Sequence, residues 1–392
     1  MENSQPLHDP VEKGLDVEII DLPENGGQGV SMSWVARHVL AGQRSVVRHG
    51  ARWRVASMLV LGILVLVVLS FASNNLVMLL MPRTAVGPGL FPTRPVFDPY
   101  RYPHSNHPDA LYSGHQGRVE NVVWSPDSRR FASGGFDNTI QVWDIETRQE
   151  QVYRGHTDEV KGLAWSPDGR ELASVSRDQT VRIWNTATGR LVMKLVNSKS
   201  VYSVAWSPDG HYLAYGDEGA LVHIWDMQTR SEVQTLTGHL STVVSIAWSP
   251  DGQELVTSSF DFTVRVWQVS TGKQLTIYAH GDIVPLVAWS PDGKEIASAS
   301  YDTTVQIANS ASGALIYKYF YHSNAVYSLA WSPDGTRIAS ASRDGTVQVW
   351  RVANGAHVIT YFIAATWVAW SPDGAMIAVG NQAGQVAVWR VH

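Results

Sequence analysis

The sequence predicts an all-β chain, most of it folded as a closed ring of seven four-stranded blades. Two observations carry this. Trp-Ser-Pro-Asp occurs seven times, at Trp124, Trp165, Trp206, Trp248, Trp289, Trp331 and Trp370, at intervals of 39 to 42 residues. A period near 40 residues marks a radial β repeat with one blade per unit. Between the copies, short apolar runs with period-two alternation are punctuated by Gly, Pro and Asp, which reads as strands joined by tight turns.

The unit Gly155 to Asn185 shows the elements in order. Gly155-His156 opens it, and Val160, Leu163 and Ala164 lead into Trp165 as a buried strand. Ser166-Pro167-Asp168-Gly169 is a β-turn, with Pro second and Gly fourth. Leu172 to Val175 form a second strand, and Asp178 sits in the next tight turn. Val181, Ile183 and Trp184 alternate with polar Arg182 as a third strand. Thr188-Gly189 turns the chain into a fourth strand, Leu191 to Leu195.

The opening Gly-His pair recurs at Gly114-His115 and Gly238-His239, with weaker forms at Ala279-His280 and Tyr321-His322. The closing pair is Trp143-Asp144 and Trp225-Asp226, relaxed to Trp184-Asn185, Trp267-Gln268, Trp350-Arg351 and Trp389-Arg390, and decayed to Ala308-Asn309 in the fifth unit. In this pattern roughly residues 109–392 resemble WD40-repeat β-propellers, and with its apolar front the chain looks like a bacterial, membrane-anchored member. Propellers of the TolB type share the Ser-Pro-Asp-Gly turn but resemble the chain less, because they lack the Gly-His and Trp-Asp pairs. Seven units imply seven blades. The last unit reaches its third strand just before His392. The resemblance implies that Ala110-Leu111-Tyr112 supplies the fourth, beside Val386 to Val388, so that no long strand edge stays open.

Five units carry Ser or Thr, His and Asp at fixed offsets. They are Ser133, His115 and Asp137; Ser174, His156 and Asp178; Thr257, His239 and Asp261; Ser298, His280 and Asp302; Ser340, His322 and Asp344. A hydrolase uses the same types, a base to activate a nucleophile and an acid to orient the base. A fivefold catalytic site makes little chemical sense, whereas a fivefold packing device does, so no catalytic residue is assigned. The resemblance implies a structural network in which Asp accepts from His, His contacts the hydroxyl, and the hydroxyl reaches the closing Trp143, Trp184, Trp267 or Trp350. Unit five has Ala308 in place of that Trp, which predicts a void or a repacked neighbour. Units three and seven lack all three polar members, with Asn197, Tyr215 and Gly219, and with Tyr361, Val379 and Ala383. Joint loss is expected, because an unpaired buried member costs about 1–3 kcal/mol. These two blades are therefore expected to rest on apolar packing and to be less rigid at that edge.

No metal or cofactor site is expected. The 14 His fall mostly one per unit, there is no Cys, and no His-x-x-x-His spacing occurs. Gly26-Gly27-Gln28-Gly29 has no strand before it and no Gly-Lys-Ser after it, so it is not a phosphate loop. A net charge of −5, with no basic stripe in the repeats, argues against a nucleic-acid partner.

The front of the chain divides by composition. Residues 1–54 form an acidic tail, expected to be disordered, and then a basic segment. Residues 55–81 are the expected transmembrane region. Val55 to Ser73 carries no charge, and as a helix it would span about 28 Å, close to the hydrocarbon thickness of a bilayer. The run is apolar on all sides, which argues against a buried globular helix, and the residues before it exceed a normal signal-peptide n-region. Arg37, Arg44, Arg48, Arg52 and Arg54 precede the span, against Arg83, Arg94 and Arg101 after it. The positive-inside rule then puts the N-terminus in the cytoplasm and the propeller outside. Residues 82–108 hold seven prolines and read as a stiff linker that could reach about 80 Å.

The expected function is that of a membrane-tethered interaction scaffold or sensor taking a protein or peptide partner. The resemblance places partner contacts on the loop-built top face, including the residue before each turn Asp: Phe136, Arg177, Phe260, Tyr301 and Arg343. Glu120, Lys161, Tyr202 and Tyr327, near the starts of the inner strands, join them. Aromatics and Arg are what a binding hot spot favours. The alternative is an adaptor for a Ser/Thr kinase, since the chain resembles the anchor and propeller of bacterial proteins that also carry one. An enzyme or small-ligand binder using the central channel is a third reading, and no unrepeated carboxylate cluster favours it.

Overall fold

The computed structural model describes residues 104–105 and 107–391. The acidic tail, the apolar span and most of the Pro-rich linker lie outside the described residues. Among the described residues there are 29 strands and no helix, so none is long and apolar enough to cross a membrane.

The strands form seven sheets of antiparallel meander, each running from an inner to an outer strand. Blade one runs from Val119–Trp124 to Glu150–Tyr153, blade two from Val160–Trp165 to Leu191–Val196, and blade three from Val201–Trp206 to Ser231–Leu236. Blade four runs from Val243–Trp248 to Lys273–Ala279, blade five from Leu286–Trp289 to Leu315–Tyr319, and blade six from Val326–Trp331 to His357–Phe362. Blade seven begins at Ala365–Trp370, and its outer strand is Ala110–Ser113, from before the first blade. That strand pairs antiparallel with Gln385–Arg390 in the register Ala110↔Val388 and Tyr112↔Val386. Each inner strand also lies against those of the two neighbouring blades, and blade seven against blade one, so the ring is closed.

The outer edge of blade six holds a difference from the sequence reading. The linker was expected to run to residue 108, yet His104–Ser105 pairs parallel with Thr360–Tyr361 and makes that blade five-stranded. A two-residue strand has no periodicity to read, and only the free edge of blade six supplies its partner.

The repeated motif explains both ends of the inner strand. In the Ser-Pro-Asp turn of blade two, Ser166 Oγ donates to Asp168 Oδ1 at 2.6 Å, and the Glu171 N–H donates back to Ser166 Oγ at 2.9 Å. The fourth turn residue needs a left-handed backbone, φ +69° at Gly169, which glycine adopts without a Cβ clash. Ahead of each turn, the indole Nε1 donates across the seam to the preceding blade. Trp165 reaches Val123 O at 3.2 Å, Trp206 Ala164 O at 3.2 Å, and Trp124 Ala369 O at 3.2 Å, which closes the circle. Trp248, Trp289 and Trp331 do the same. Trp370 is the exception, donating within its own turn to Gly374 O at 3.1 Å.

In six of the seven inner strands the pairing register slips around the second residue, as between Val119 and Asn121 and between Val160 and Gly162. Such a bulge re-aims a side chain out of the ladder. It sets Glu120, Lys161, Tyr202 and Tyr327 apart from the buried residues on either side, and positions them for the face described next.

Candidate interaction site on the upper face

The Ser-Pro-Asp turns lie at one end of the ring. At the other, the upper face, lie the turns joining second to third strands and the loops carrying the opening His. Beneath that face the five polar units form hydrogen-bonded chains. In blade two, His156 Nδ1 meets Asp178 Oδ2 at 2.9 Å and Nε2 meets Ser174 Oγ at 2.7 Å, while the Trp184 indole donates to Ser174 Oγ at 2.8 Å. Blade four repeats this through His239, Asp261, Thr257 and Trp267, and blade six through His322, Asp344, Ser340 and Trp350. One direction of donation satisfies every member: indole N–H to hydroxyl, hydroxyl to Nε2, and Nδ1–H to carboxylate. Ser133, Ser174, Thr257, Ser298 and Ser340 are all 0% exposed. In blade two the Ser174 hydroxyl is held between His156 and Trp184, closed off from solvent.

A fifth member escaped the sequence reading. Two residues after each network Asp, a Thr hydroxyl donates to the carboxylate: Thr139 at 2.7 Å, and Thr180, Thr263, Thr304 and Thr346 at 2.6 Å. The repeated Asp-x-Thr was its signal. Burial works against charge on these carboxylates, but the His, Thr and backbone hydrogen bonds outweigh it and hold Asp137, Asp178, Asp261 and Asp302 well below the usual range.

Four places differ from this pattern. In blade one, His115 joins Ser133 at 2.9 Å and Asp137 at 3.0 Å, but Trp143 makes no hydrogen bond to Ser133; its ring lies 5.2 Å from Tyr112 of the closing strand. In blade five a neighbour has repacked, one of the two outcomes expected where Ala308 replaces the Trp: Tyr278, from the outer strand of blade four, donates its hydroxyl to Ser298 Oγ at 3.5 Å. Blade three is not held by apolar packing alone. Asp217, 1% exposed, accepts from Asn197 Nδ2 at 2.9 Å and meets His223 Nε2 at 3.3 Å, while His223 Nδ1 meets Glu232 Oε1 at 2.9 Å. Burial opposes charge on His223, yet the two carboxylates prevail and raise its pKa. In blades three and seven the closing indoles, Trp225 Nε1 and Trp389 Nε1, are buried without a partner. The sequence shows both tryptophans with the His, Asp and hydroxyl members gone, and the lost hydroxyl leaves each indole N–H unpaired.

The structure brings most of the predicted contact residues together in two arcs. Over blades one and two, Arg118 Nε donates to Glu120 at 2.8 Å, Lys161 lies 3.5 Å from Glu120 and also pairs with Glu159, and Arg177 lies 3.3 Å from Glu159. Over blades three to seven the face is aromatic. Tyr202 sits edge-on to Phe260 at 6.5 Å, and Tyr301 to Tyr327 at 5.6 Å. Tyr301 and Tyr327 line a pocket of about 120 Å³ at the channel mouth with Arg118, Glu120, Pro285 and Trp367. Phe136 is 54% exposed and Arg343 is exposed, each on its own turn. Trp367 was missed because it stands one place past the bulge, where blades three, four and six have serine and blade two glycine. It also lines the wider, open hollow of about 670 Å³ that the repeated tryptophans ring. Among the described residues, no group of three or more His, Cys, Asp or Glu could hold a metal ion.

Two comparisons bear on this geometry. Over 44 residues the chain is 41% identical to eukaryotic translation initiation factor 3 subunit I of Phaeosphaeria nodorum, a stretch making up 11% of this chain and 13% of that protein. The chain thus aligns with a small part of that relative's length. The WD40 family (WD domain, G-beta repeat) matches residues 107–144, 147–185, 189–226, 230–268, 272–309 and 313–351. Each match begins before the opening His, or Asn197 in unit three, and ends at the closing pair, so it takes the outer strand of one blade with the inner three of the next. With more than half its residues matched and seven blades closed into a ring, the chain belongs to the WD40 family.

Proposed function

We propose that this chain is a membrane-anchored interaction module whose upper face takes a protein or peptide partner. WD40 propellers typically serve as scaffolds for protein–protein interaction and are generally not enzymes. The observation that carries the reading is the joining of Glu120 to Lys161, Tyr202 to Phe260, and Tyr301 to Tyr327 around one channel mouth. Aromatic and Arg side chains on a rigid scaffold are what protein recognition uses. The anchor rests on the apolar run Val55 to Ser73, and the orientation, propeller outside, on the five arginines before it.

Two experiments test it. A photo-crosslinking residue at Tyr327 should trap a partner that the same residue at exposed Lys273, on the outer strand of blade four, does not; equal yields from both overturn the site. For topology, the chain has no Cys, so Lys273→Cys and Ser4→Cys each carry a single thiol. With an impermeant maleimide on intact cells, Lys273→Cys should label and Ser4→Cys should not. The reverse puts the propeller in the cytoplasm, and labelling only in released material makes the apolar run a cleaved signal.

A further inference from the structure

The two arcs of the upper face differ in chemistry, and each constrains what fits. On the charged arc the carboxylates are covered while the guanidiniums stay open. The side chains of Glu120 and Glu159 are each 10% exposed, against 48% for Arg118 and 46% for Arg177. Lys199 and Arg343 add exposed cations over blades three and six. Against them stand Glu218, which is exposed, and Asp158 and Asp282, which are half-buried. Over blades one and two Arg118, Lys161 and Arg177 are matched in number by Glu120, Glu159 and Asp158, but the most exposed charges a partner meets are the two guanidiniums.

Blade four supplies an apolar knob. Leu240 is 85% exposed, Phe262 43% and Phe260 38%. One carboxylate gathers them. Asp261 lies between the two phenylalanines, accepts the Leu240 N–H at 2.9 Å, and is itself fixed by His239 at 2.9 Å. Phe262 also has φ +69°. The same turn position holds Asn138, Gln179, Ala220, Thr303, Gly345 and Gly384 in the other blades. Asn and Gly take that backbone readily, whereas Gln179, Ala220, Thr303 and Phe262 all pay for it in strain, and Phe262 is the bulkiest of the four. Burial offsets part of that strain, since Phe262 is 43% exposed and the rest of it is covered. A strained, half-covered aromatic on a turn gains less from folding than a buried one, and a contact made on binding would use the surface left open.

We propose that the upper face binds an acidic peptide segment carrying aliphatic or aromatic anchors. Its carboxylates meet the guanidiniums of Arg118, Arg177 and Arg343, and an apolar side chain packs on Leu240, Phe260 and Phe262. The proposal rests on the upper-face reading and names the partner's chemistry. The test pans a random peptide display library against the full chain, then titrates selected peptides against variants. The expected peptides are rich in Asp and Glu beside Leu, Ile, Phe or Trp, and bind more weakly as salt rises. Phe262→Asn should weaken them about tenfold or more while the thermal midpoint holds or rises. Arg177→Gln with Arg343→Gln should weaken them similarly and flatten the salt dependence. Basic or uncharged peptides that Tyr327→Ala releases overturn the acidic partner but leave the upper-face site. A Phe262→Asn chain that melts earlier and binds unchanged overturns the role of the knob. Peptides indifferent to every upper-face change, or no enrichment at all, overturn both the proposal and the site.

Discussion

Each closing tryptophan measures what one buried hydroxyl contributes. Trp184 donates to Ser174, and Trp267 to Thr257, both at 2.8 Å, while Trp225 and Trp389 bury the same N–H with nothing to meet. A buried donor without a partner forfeits about 1–3 kcal/mol. Replacing Trp by Phe removes the N–H along with some ring volume. The loss should be about 1–2 kcal/mol larger for Trp184→Phe than for Trp225→Phe or Trp389→Phe, as read by denaturant titration. Equal losses would mean that packing alone sets the value of the indole. The substitute network of blade three adds a pH dependence. His223 has a raised pKa, so its contribution is complete below the ordinary His value of about 6.5 and is lost as pH rises through its folded value. Burial works against charge on Asp217 and Glu232, but for Asp217 the bonds from His223 and Asn197, and for Glu232 those from Thr235 and His223, lower the pKa. Their contribution is present above the ordinary carboxylate range and is lost as pH falls through the folded values. Between pH 6 and 9 the wild type should lose thermal stability that His223→Gln, already weaker at pH 6, does not lose further.

At the level of the strand and its seam, the inner tryptophans act as staples. Trp165 crosses to Val123 O, whereas Trp370 turns back to Gly374 O and leaves the seam between blades six and seven to other bonds. There the Val368 N–H donates to Ser328 Oγ at 3.1 Å, and a continuous apolar cluster including Val347, Val349, Val368 and Trp389 fills the gap. Trp165→Phe should therefore speed amide exchange along both Val119–Trp124 and Val160–Trp165, while Trp370→Phe should affect only its own turn. Fast exchange on both sides of the seam in the second variant would contradict this. The same elements mark how far the sequence could be read. The blades and the Ser-Pro-Asp turns repeat, so period and turn chemistry revealed them. The contact positions could be named because each falls at a fixed offset in its unit. Apart from the repeated Asp-x-Thr, whose hydroxyl was overlooked, what stayed hidden does not repeat: His223 and Glu232, which rebuild a network in one blade; Tyr278, which reaches across to Ser298; Trp367, which fills a place that Ser328 holds in blade six; and the two-residue strand on blade six, legible only from its partner.

The whole ring depends on one short strand far from the sequence it completes. Ala110–Ser113 pairs with Gln385–Arg390, and through Tyr112 it also packs beneath blade one, 5.0 Å from Phe131 and 5.2 Å from Trp143. Tyr112 is 5% exposed and belongs to the apolar cluster that spans blades seven and one. Its ring is thus both the anchor of the closing strand and part of the seam behind it. In a radial repeat most contacts run between neighbours, so an open end exposes a full strand edge and an uncovered core face at once. Truncating a buried aromatic costs about 3–5 kcal/mol from packing alone. Tyr112→Ala should lower stability by at least that, and exchange should rise first along Gln385–Arg390, whose outer edge is freed. The freed edge should also make the variant associate as its concentration rises, measurable by light scattering below the thermal midpoint. Leu111→Ala is the control, since Leu111 lies on the same strand at 51% exposure. It keeps the pairing and removes only an exposed side chain, so it should melt near the wild type and stay dispersed. If both variants lose stability equally, backbone pairing rather than the Tyr112 ring closes the propeller.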